Sequence, residues 1–221
     1  MNDFDWYPVW LTLRVSTTAT FFAVVLGLAL AWLLARKEFP GKALLDALLM
    51  QPLVIPPTVL GYYLLVAFGR NAALGRWMEE VFGVTLVFTW RGAVLASLLA
   101  SLPLFIKPAR AAMESVDPHL ENAARLLGKT EAAVFYTITL PLAWRGLLAG
   151  GMMAFARAVG DFGATLMVAG NIPGRTQTVP IAIYDAVQLG DMDSANTLVL
   201  IMTAFSIAVL LVVSRVTAGR Y

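Results

Sequence analysis

Three long runs without a charged residue constrain the fold of this chain more than any other feature. They cover residues 15–35, 47–68 and 194–214 and are 21, 22 and 21 residues long. A helix that crosses a bilayer needs roughly 20 predominantly apolar residues. Only 14% of the chain is charged, whereas a soluble domain carries about 25%. We therefore predict an all-α integral membrane protein.

Two further segments are long enough to span a membrane but contain charges. Residues 92–106 are uncharged, and the apolar character continues on both sides past Arg91 and Lys107. The later segment holds Arg145 near one end and the Arg157/Asp161 pair inside. The first span follows an acidic leader and is expected to be a true span, not a cleaved signal peptide. The sequence thus predicts about five spans in a single domain, at about 10–35, 43–68, 87–112, 141–170 and 194–216 of residues 1–221.

The basic residues predict the orientation. If the N-terminus lies outside, the inner segments hold ten of the 16 Lys and Arg residues and the outer segments hold four. Cytoplasmic loops carry the excess of Lys and Arg in membrane proteins. We therefore expect the N-terminus outside, the C-terminus inside and the segment 114–140 in the cytoplasm.

Several function classes are disfavoured by what the sequence lacks. There is no cysteine and one histidine, so no Cys-based metal site is expected. A net charge of +2 is too small to indicate nucleic-acid binding. The sequence contains no phosphate-binding P-loop, no zinc-protease motif and no nucleophile elbow. We expect a protein that is not an enzyme and binds no cofactor or metal itself.

The cytoplasmic segment 114–140 reads as a helix, a glycine turn and a second helix. Asp117 and Pro118 are typical of a helix start, and Glu121 suits the positive end of the helix dipole. Gly128 supplies the left-handed residue that ends a helix. Thr130 can cap a second helix toward Ile138, with Pro141 starting the next span. Two readings follow: a solvated loop on the lipid surface, or a docking element for another protein. The predicted apolar face consists of Leu120, Ala123, Ala124 and Leu127.

The spacing of this segment resembles the EAA loop that marks the membrane subunits of bacterial ABC importers. The family has Glu-Ala-Ala, three residues, Gly, nine residues, Ile, one residue and Leu-Pro. Asn122 stands at the usual glutamate position, and Glu121 comes one step earlier. A second Glu-Ala-Ala string begins at Glu131, but Thr137 stands where the glycine would be, so that copy is ordinary helix-forming sequence. The resemblance assigns ATPase coupling to Glu121, Ala123, Ala124, Arg125, Gly128, Ile138, Leu140 and Pro141.

Other strings narrow the resemblance to one branch of importers. PLVIPPTVLGYYLL at 52–65, DFGAT at 161–165 and NIPGRTQTVPIAIY at 171–184 are similar to molybdate importer permeases, with sulfate permeases as the nearest relatives. The resemblance implies a type I permease fold with a cytoplasmic coupling helix, in the bacterial cytoplasmic membrane. It also implies import of an oxyanion, most often molybdate or tungstate, with sulfate as the alternative.

The implied partners are all separate molecules. They are a dimer of ATP-binding subunits that carries ATP and Mg, an extracytoplasmic oxyanion-binding protein, a second copy of this chain and membrane lipid. In such an assembly the helix from Pro118 would seat in a groove of each ATPase. The rival class is a secondary transporter, which often shows internal repeats. The sequence shows no convincing repeat, and a secondary transporter has no need of a docking helix.

Two groups of residues inside predicted spans are candidates for the translocation path or gate. Prolines break or kink a helix, and broken helix inside a membrane faces protein or a watery cavity; a kink for packing is the alternative. Arg157 and Asp161 are four residues apart, and intramembrane charges usually pair or face the bundle interior. They form a structural pair, or else a gate or subunit contact; direct anion binding by Arg157 is a third, less favoured alternative. The family usually has glutamate where Asp161 stands. The candidates are Pro56, Pro57, Thr58, Gly61, Arg157, Asp161, Phe162 and Gly163.

Three other charged or titratable residues are given no function. Asp46 and Arg14 lie near span ends, from which their side chains can reach the membrane surface. His119 is expected to be a solvated surface residue.

The outer segment 171–194 is either an ordinary loop or the surface that receives the binding protein.

Overall fold

The computed structural model describes residues 5–217, and those residues are helical with short connections. The predicted all-α class is confirmed. One π turn, Phe135–Thr139, joins two of the helices into a continuous rod over Glu131–Val159. The helices are α1 Tyr7–Arg36, α2 Lys42–Met50, α3 Pro57–Phe68, α4 Ala73–Phe82, α5 Trp90–Glu114, α6 Pro118–Leu126, α7 Glu131–Val134, α8 Leu140–Val159, α9 Gly163–Ala169, α10 Val179–Leu189 and α11 Met192–Thr217.

The core forms where α5 packs between α1 and α8. Phe105 and Ile106 of α5 are fully buried there. Small residues on both neighbours allow this approach: a Cβ on Gly27 would overlap the Phe105 ring, and one on Gly150 would lie 3.0 Å from the Phe105 carbonyl oxygen. Close packing through small residues is typical of helices in membranes.

The predicted second span is broken. Its two parts, Lys42–Leu53 and Pro57–Phe68, meet at an angle of 112°. Pro56 and Pro57 stand at the corner, and Pro57 opens α3, where its missing N–H costs no hydrogen bond. Within residues 5–217, four helices are long and apolar enough to cross a membrane, or five if this bent pair counts as one span. The limits of each span relative to the bilayer remain a prediction.

The predicted fourth span has different ends. The helix begins at Glu131 and ends at Val159, so Pro141 lies inside it and does not start it. The π turn accommodates the proline: the Leu140 N–H donates to the Phe135 carbonyl, five residues back, directly before the residue that lacks an N–H. The helix ends at Val159, and after three non-helical residues the chain forms the short helix α9.

Candidate functional site

Helix α6, the predicted coupling helix, begins and ends as its residues predict. The Asp117 carboxylate accepts a hydrogen bond from the His119 N–H at 2.9 Å, and Pro118 occupies the first turn. Gly128 follows the helix with φ of +82°, in the left-handed region. Thr130 then caps α7 by accepting a bond from the Ala133 N–H. Helix, glycine turn and second helix are therefore present.

Glu121 is buried and tied to two distant helices, a role that the sequence did not reveal. Only 3% of the residue is exposed. Its Oε1 accepts a hydrogen bond from Arg36 Nη2 at 2.7 Å and another from Thr139 Oγ1 at 2.6 Å. We call Arg36, Glu121 and Thr139 the Glu121 node. The Glu121 carboxylate faces the interior of this chain. If Glu121 takes part in ATPase coupling, it therefore acts through the residues that it holds in place and not by direct contact with the ATPase.

Arg36 extends the same node to a third helix. Its Nη2 also donates to the Met113 carbonyl at 2.8 Å and to the Val116 carbonyl at 3.4 Å. The Met113 carbonyl lies in the last turn of α5 and the Val116 carbonyl lies just beyond it, where the negative end of the helix dipole attracts a cation. The node thus joins the ends of α1 and α5 and the π turn to the coupling helix.

The apolar residues of the coupling helix do not form the single face that the sequence predicted. Ala124 is buried beside Glu121, whereas Leu120 is half exposed. Leu126 is 90% and Leu127 84% exposed. Two leucines this exposed at the end of one helix form an apolar contact surface. The side of α6 away from the core is therefore suited to protein contact.

The remaining coupling candidates lie around this helix. Arg125 donates two hydrogen bonds to the Glu131 carboxylate, at 2.7 and 3.2 Å, and one to Asn122. The hydrogen-bonded Glu131 carboxylate raises the pKa of Arg125 further above its ordinary value. Ala123, Gly128 and Pro141 are exposed, and Ile138 and Leu140 are half buried.

The predicted gate residues of α3 and α9 are brought together. A Cβ on Gly61 would lie 2.6 Å from the Met167 Cβ, and one on Gly163 would lie 3.2 Å from the Pro57 Cβ and from the Thr58 Cγ2. These glycines therefore let the two helices pack with their backbones close. Pro56, Pro57 and Thr58 keep exposed surface beside this contact.

Asp161 caps α9 and pairs with Arg157. Its Oδ1 lies 3.1 Å from Arg157 Nη1, while its Oδ2 accepts bonds from the Thr165 N–H at 3.1 Å and the Thr165 hydroxyl at 2.6 Å. The expected pair is present, but not on one helical face, because α8 ends at Val159. Asp161 is 2% exposed, so this carboxylate stabilises the break between α8 and α9. The adjacent Phe162 ring packs on Tyr184 of α10 instead, with centroids 5.2 Å apart.

Comparison with protein families identifies the chain. The family described as "Binding-protein-dependent transport system inner membrane component" matches residues 23–218. The chain belongs to this family.

Two relatives of known transport system show which branch of the binding-protein-dependent transport family this chain resembles most. It is 46% identical to the molybdenum transport system permease protein ModB of Escherichia coli strain K12, over 100% of this chain and 99% of that protein. It is 34% identical to the sulfate transport system permease protein CysT of the same strain, over 90% of this chain and 72% of that protein. The resemblance to the molybdate branch is confirmed, with the sulfate permease more distant.

A solved structure agrees with this chain in fold. It belongs to a bacterial ABC transporter involved in the import of the acidic polysaccharide alginate. The two superpose with a TM-score of 0.78 over 100% of this chain and 82% of that one, at 14% sequence identity. The fold is that of a type I ABC importer permease.

Two charged residues that were given no function make defined contacts in this family member. Asp46 accepts a hydrogen bond from Arg110 Nη1 at 3.0 Å, and Arg110 also bonds Glu114 at 2.7 Å. The guanidinium carbon of Arg14 lies 3.9 Å from the centre of the Trp90 ring. Each of these side chains therefore connects two helices, and its reach to the membrane surface stays a prediction.

The segment 171–194 of this family member is not an ordinary loop, because α10 occupies much of it. Gln177 Nε2 donates to Asn171 at 2.9 Å and to Asp185 at 3.0 Å, which fixes the start of the segment. Next to it lies an open cavity of about 720 Å³ lined by Arg70 and Arg175. A smaller adjoining cavity adds Arg91, and neither has an acidic residue in its lining. We call these two cavities the basic cup.

Metal binding finds no support in the part of the chain that the structure describes. No three His, Cys, Asp or Glu side chains group closely enough there to hold a metal ion. His119, at the start of α6, is exposed.

Proposed function

We propose that this chain is the membrane-spanning subunit of an ATP-driven importer that carries molybdate, or the similar tungstate, into the cell. The observation that carries the proposal is the 46% identity to a molybdenum permease over the full length of both chains. The coupling helix supports the proposal, because a secondary transporter, which is driven by an ion gradient, has no need of an exposed docking element.

The energy would come from a separate dimer of ATPase subunits that binds ATP and Mg. The sequence itself has no P-loop to hold a nucleotide. Two copies of this chain would pair, and each would dock α6 through Leu126 and Leu127 on one ATPase subunit. Exposed apolar side chains of this size are what a protein groove can bury.

The orientation follows from the charges. We place the N-terminus outside and the C-terminus inside, because ten of the 16 basic residues then lie on the cytoplasmic side. Of those ten, Arg220 lies outside the described residues. This orientation puts α6 and the Glu121 node in the cytoplasm and the basic cup outside.

The basic cup supports delivery of an anion from an extracytoplasmic binding protein. Arg70, Arg91 and Arg175 line it without a carboxylate. A concave surface of one charge sign raises the local concentration of ligands of the opposite sign. The docked binding protein would release its oxyanion at this surface.

The Glu121 node gives a mechanism for coupling. ATP binding would close the ATPase dimer and displace α6. Because the node ties α6 to the ends of α1 and α5 and to the π turn, these helices would move together. The close contact at Gly61 and Gly163 would then open or close the path. For the oxyanion to promote this change, it must bind the two states with different affinity.

The test is ATP hydrolysis by the chain reconstituted with its ATPase and binding protein, with molybdate or sulfate as the only added anion. Stimulation by molybdate alone supports the proposal. Stimulation by sulfate alone would keep the importer class and change the cargo, in line with the 34% identity to a sulfate permease. Absence of both an assembled complex and stimulation would favour the secondary transporter.

Replacing Gly128 with valine is expected to abolish most of this stimulation. Gly128 has φ of +82°, and a Cβ there would meet nothing within 4 Å, so the cost is purely conformational. Holding a non-glycine residue in such a conformation costs about 1–3 kcal/mol, and a β-branched one is the least suited. The turn would relax and misplace the exposed leucines before it.

The matched control for Gly128 is Gly190. It also follows a helix, with φ of +76°, and also has open space around its Cβ position. Gly190→Val should carry the same strain but leave ATPase binding and coupling intact. Equal coupling in Gly128→Val and the unmodified protein would contradict the role of the glycine turn.

A further inference from the structure

Helix α4 has one apolar and one charged side. At 100° per residue, its five large apolar residues fall within an arc of about 140°, and its three charged residues fall on the opposite side. The apolar residues are Leu74, Trp77, Met78, Val81 and Phe82, and the charged ones are Arg76, Glu79 and Glu80.

The apolar side of α4 is largely exposed. No residue of the helix is buried. Trp77 is 52% and Phe82 60% exposed, and their rings contact only edge to face, with centroids 5.4 Å apart. An exposed apolar side at the end of two membrane helices is suited to contact with an apolar environment outside the chain.

Gly75 fixes where α4 lies. A Cβ at this position would overlap the Gly69 carbonyl oxygen and would lie 2.7 Å from the Phe68 carbonyl oxygen. The glycine therefore lets α4 fold back against the carboxyl end of α3. Four residues separate α4 from α3, and Trp90 opens α5 shortly after Gly83 ends α4. Helix α4 is thus held at the level where two membrane helices end.

We propose that α4 lies in the headgroup region of the outer leaflet, with its Trp77 side in contact with the acyl chains. Amphipathic helices lie in this position with the apolar side inserted, and tryptophan is enriched at the membrane interface. The net charge of α4 is −1, from one Arg and two Glu. Attraction to anionic lipid therefore contributes nothing, and apolar burial together with the two flanking spans holds the helix in place.

A second copy of the chain is the competing occupant, and the size of the surface disfavours it. Ten residues at 1.5 Å each give a helix roughly 15 Å long and about 10 Å wide. The footprint is then on the order of 150 Å², whereas a stable interface takes about 800 Å² per partner. The bilayer has no such minimum, because the rest of the protein is already embedded in it.

The placement of α4 also bears on the position of α3. Helix α3 carries Gly61, whose close contact with α9 belongs to the candidate gate. An interfacial α4, packed on the last turn of α3 through Gly75, would fix the outer end of that helix relative to the membrane surface. The placement of α4 does not depend on which anion is carried or on the ATPase.

The absence of cysteine from the whole chain makes a direct test available. Leu74→Cys lies at the centre of the apolar side, and Arg76→Cys lies on the opposite side two residues later. Each full-length variant is spin-labelled and reconstituted in vesicles of phosphatidylethanolamine and phosphatidylglycerol. The accessibility of the label to oxygen, which is enriched in lipid, is compared with that to a water-soluble nickel chelate.

We expect the ratio of oxygen to nickel accessibility to be several-fold higher for Leu74→Cys than for Arg76→Cys. Val81→Cys, on the same side as Leu74, should match Leu74→Cys, which guards against a local distortion at one site. Equal, nickel-accessible labels at both sites would overturn the proposal. Shielding of the label at position 74 from both reagents would also overturn it. Disulfide formation between copies of unlabelled Leu74→Cys, on addition of an oxidant, would then assign the surface to a second copy.

Discussion

Replacing Glu121 with glutamine is expected to remove most of the coupling between ATP hydrolysis and oxyanion uptake. The substitution keeps the shape of the side chain and an oxygen for the Thr139 hydroxyl, but it removes the negative charge 2.7 Å from Arg36. Leaving one charge of a buried pair without its partner costs up to about 3–5 kcal/mol. Because the node joins α6 to the ends of α1 and α5, its loss should let α6 move without moving the spans.

The readout that separates coupling from assembly is the ratio of anion transported to ATP hydrolysed. In Glu121→Gln this ratio should fall severalfold, while co-purification with the ATPase persists, because Leu126 and Leu127 remain exposed on α6. The control is Glu131→Gln, which removes a carboxylate that bonds Arg125 at an exposed site. Exposed ion pairs contribute only about 0–1 kcal/mol, so this variant should couple normally.

A double variant tests whether the unpaired charge is the cause. Arg36→Gln combined with Glu121→Gln removes both charges, and interacting residues show non-additive effects. We expect partial recovery of the transport ratio relative to Glu121→Gln alone. Recovery should be incomplete because Arg36 also donates to the carbonyls of Met113 and Val116. A double variant that is worse than both single variants would show that the pair does not act as a unit.

Local features of the fold could be predicted from sequence because local chemistry decides them. Asp117 and Pro118 start α6 and Gly128 follows its end, since capping and left-handed glycine depend on a few adjacent residues. The break at Pro56 and Pro57 has the same origin. The angle of 112° at this break could not be predicted from local chemistry, because the direction of α3 depends on its packing against α9.

The partners of the charged residues could not be predicted, because they lie far apart in sequence. Arg36 and Glu121 are 85 residues apart, and Asp46 and Arg110 are 64 apart. A buried charge must find a partner, but several basic residues are available, and only the packing of α1 on α5 selects Arg36. The sequence did show a glutamate directly before small residues on a short helix. That pattern was the one indication that Glu121 could be buried.

Sequence reasoning missed the irregularities at both ends of the predicted fourth span. Pro141 predicted a helix start, yet the π turn before it lets the helix continue. At the other end of the same segment, Gly160 lies where α8 ends, and Asp161 caps the next helix. A spacing of four residues indicated the Arg157–Asp161 pair but not this capping role, which depends on backbone geometry that spacing does not determine.

Replacing Asp161 with alanine is expected to disturb the gate more than the choice of anion. The Asp161 side chain is fully buried and accepts bonds from Arg157, the Thr165 N–H and the Thr165 hydroxyl. Its removal leaves the Arg157 charge unpaired and the start of α9 uncapped. Losing one partner of a buried pair costs about 3–5 kcal/mol, which should shift α9 against Gly61 and raise ATP hydrolysis in the absence of anion.

Thr165→Val is the matched variant for Asp161, because it keeps the N–H bond and the charge pair. It removes the hydroxyl bond to Asp161 and a longer contact of 3.3 Å between the same hydroxyl and Ser97 Oγ. One hydrogen bond to a charged group contributes about 1.5–3 kcal/mol, so the rise in anion-independent hydrolysis should be smaller than in Asp161→Ala. The ratio of molybdate-stimulated to sulfate-stimulated hydrolysis should stay unchanged in both variants. A clean switch of this ratio in Asp161→Ala would instead place the Arg157 guanidinium in contact with the transported anion, since freeing it would then have created a selective site.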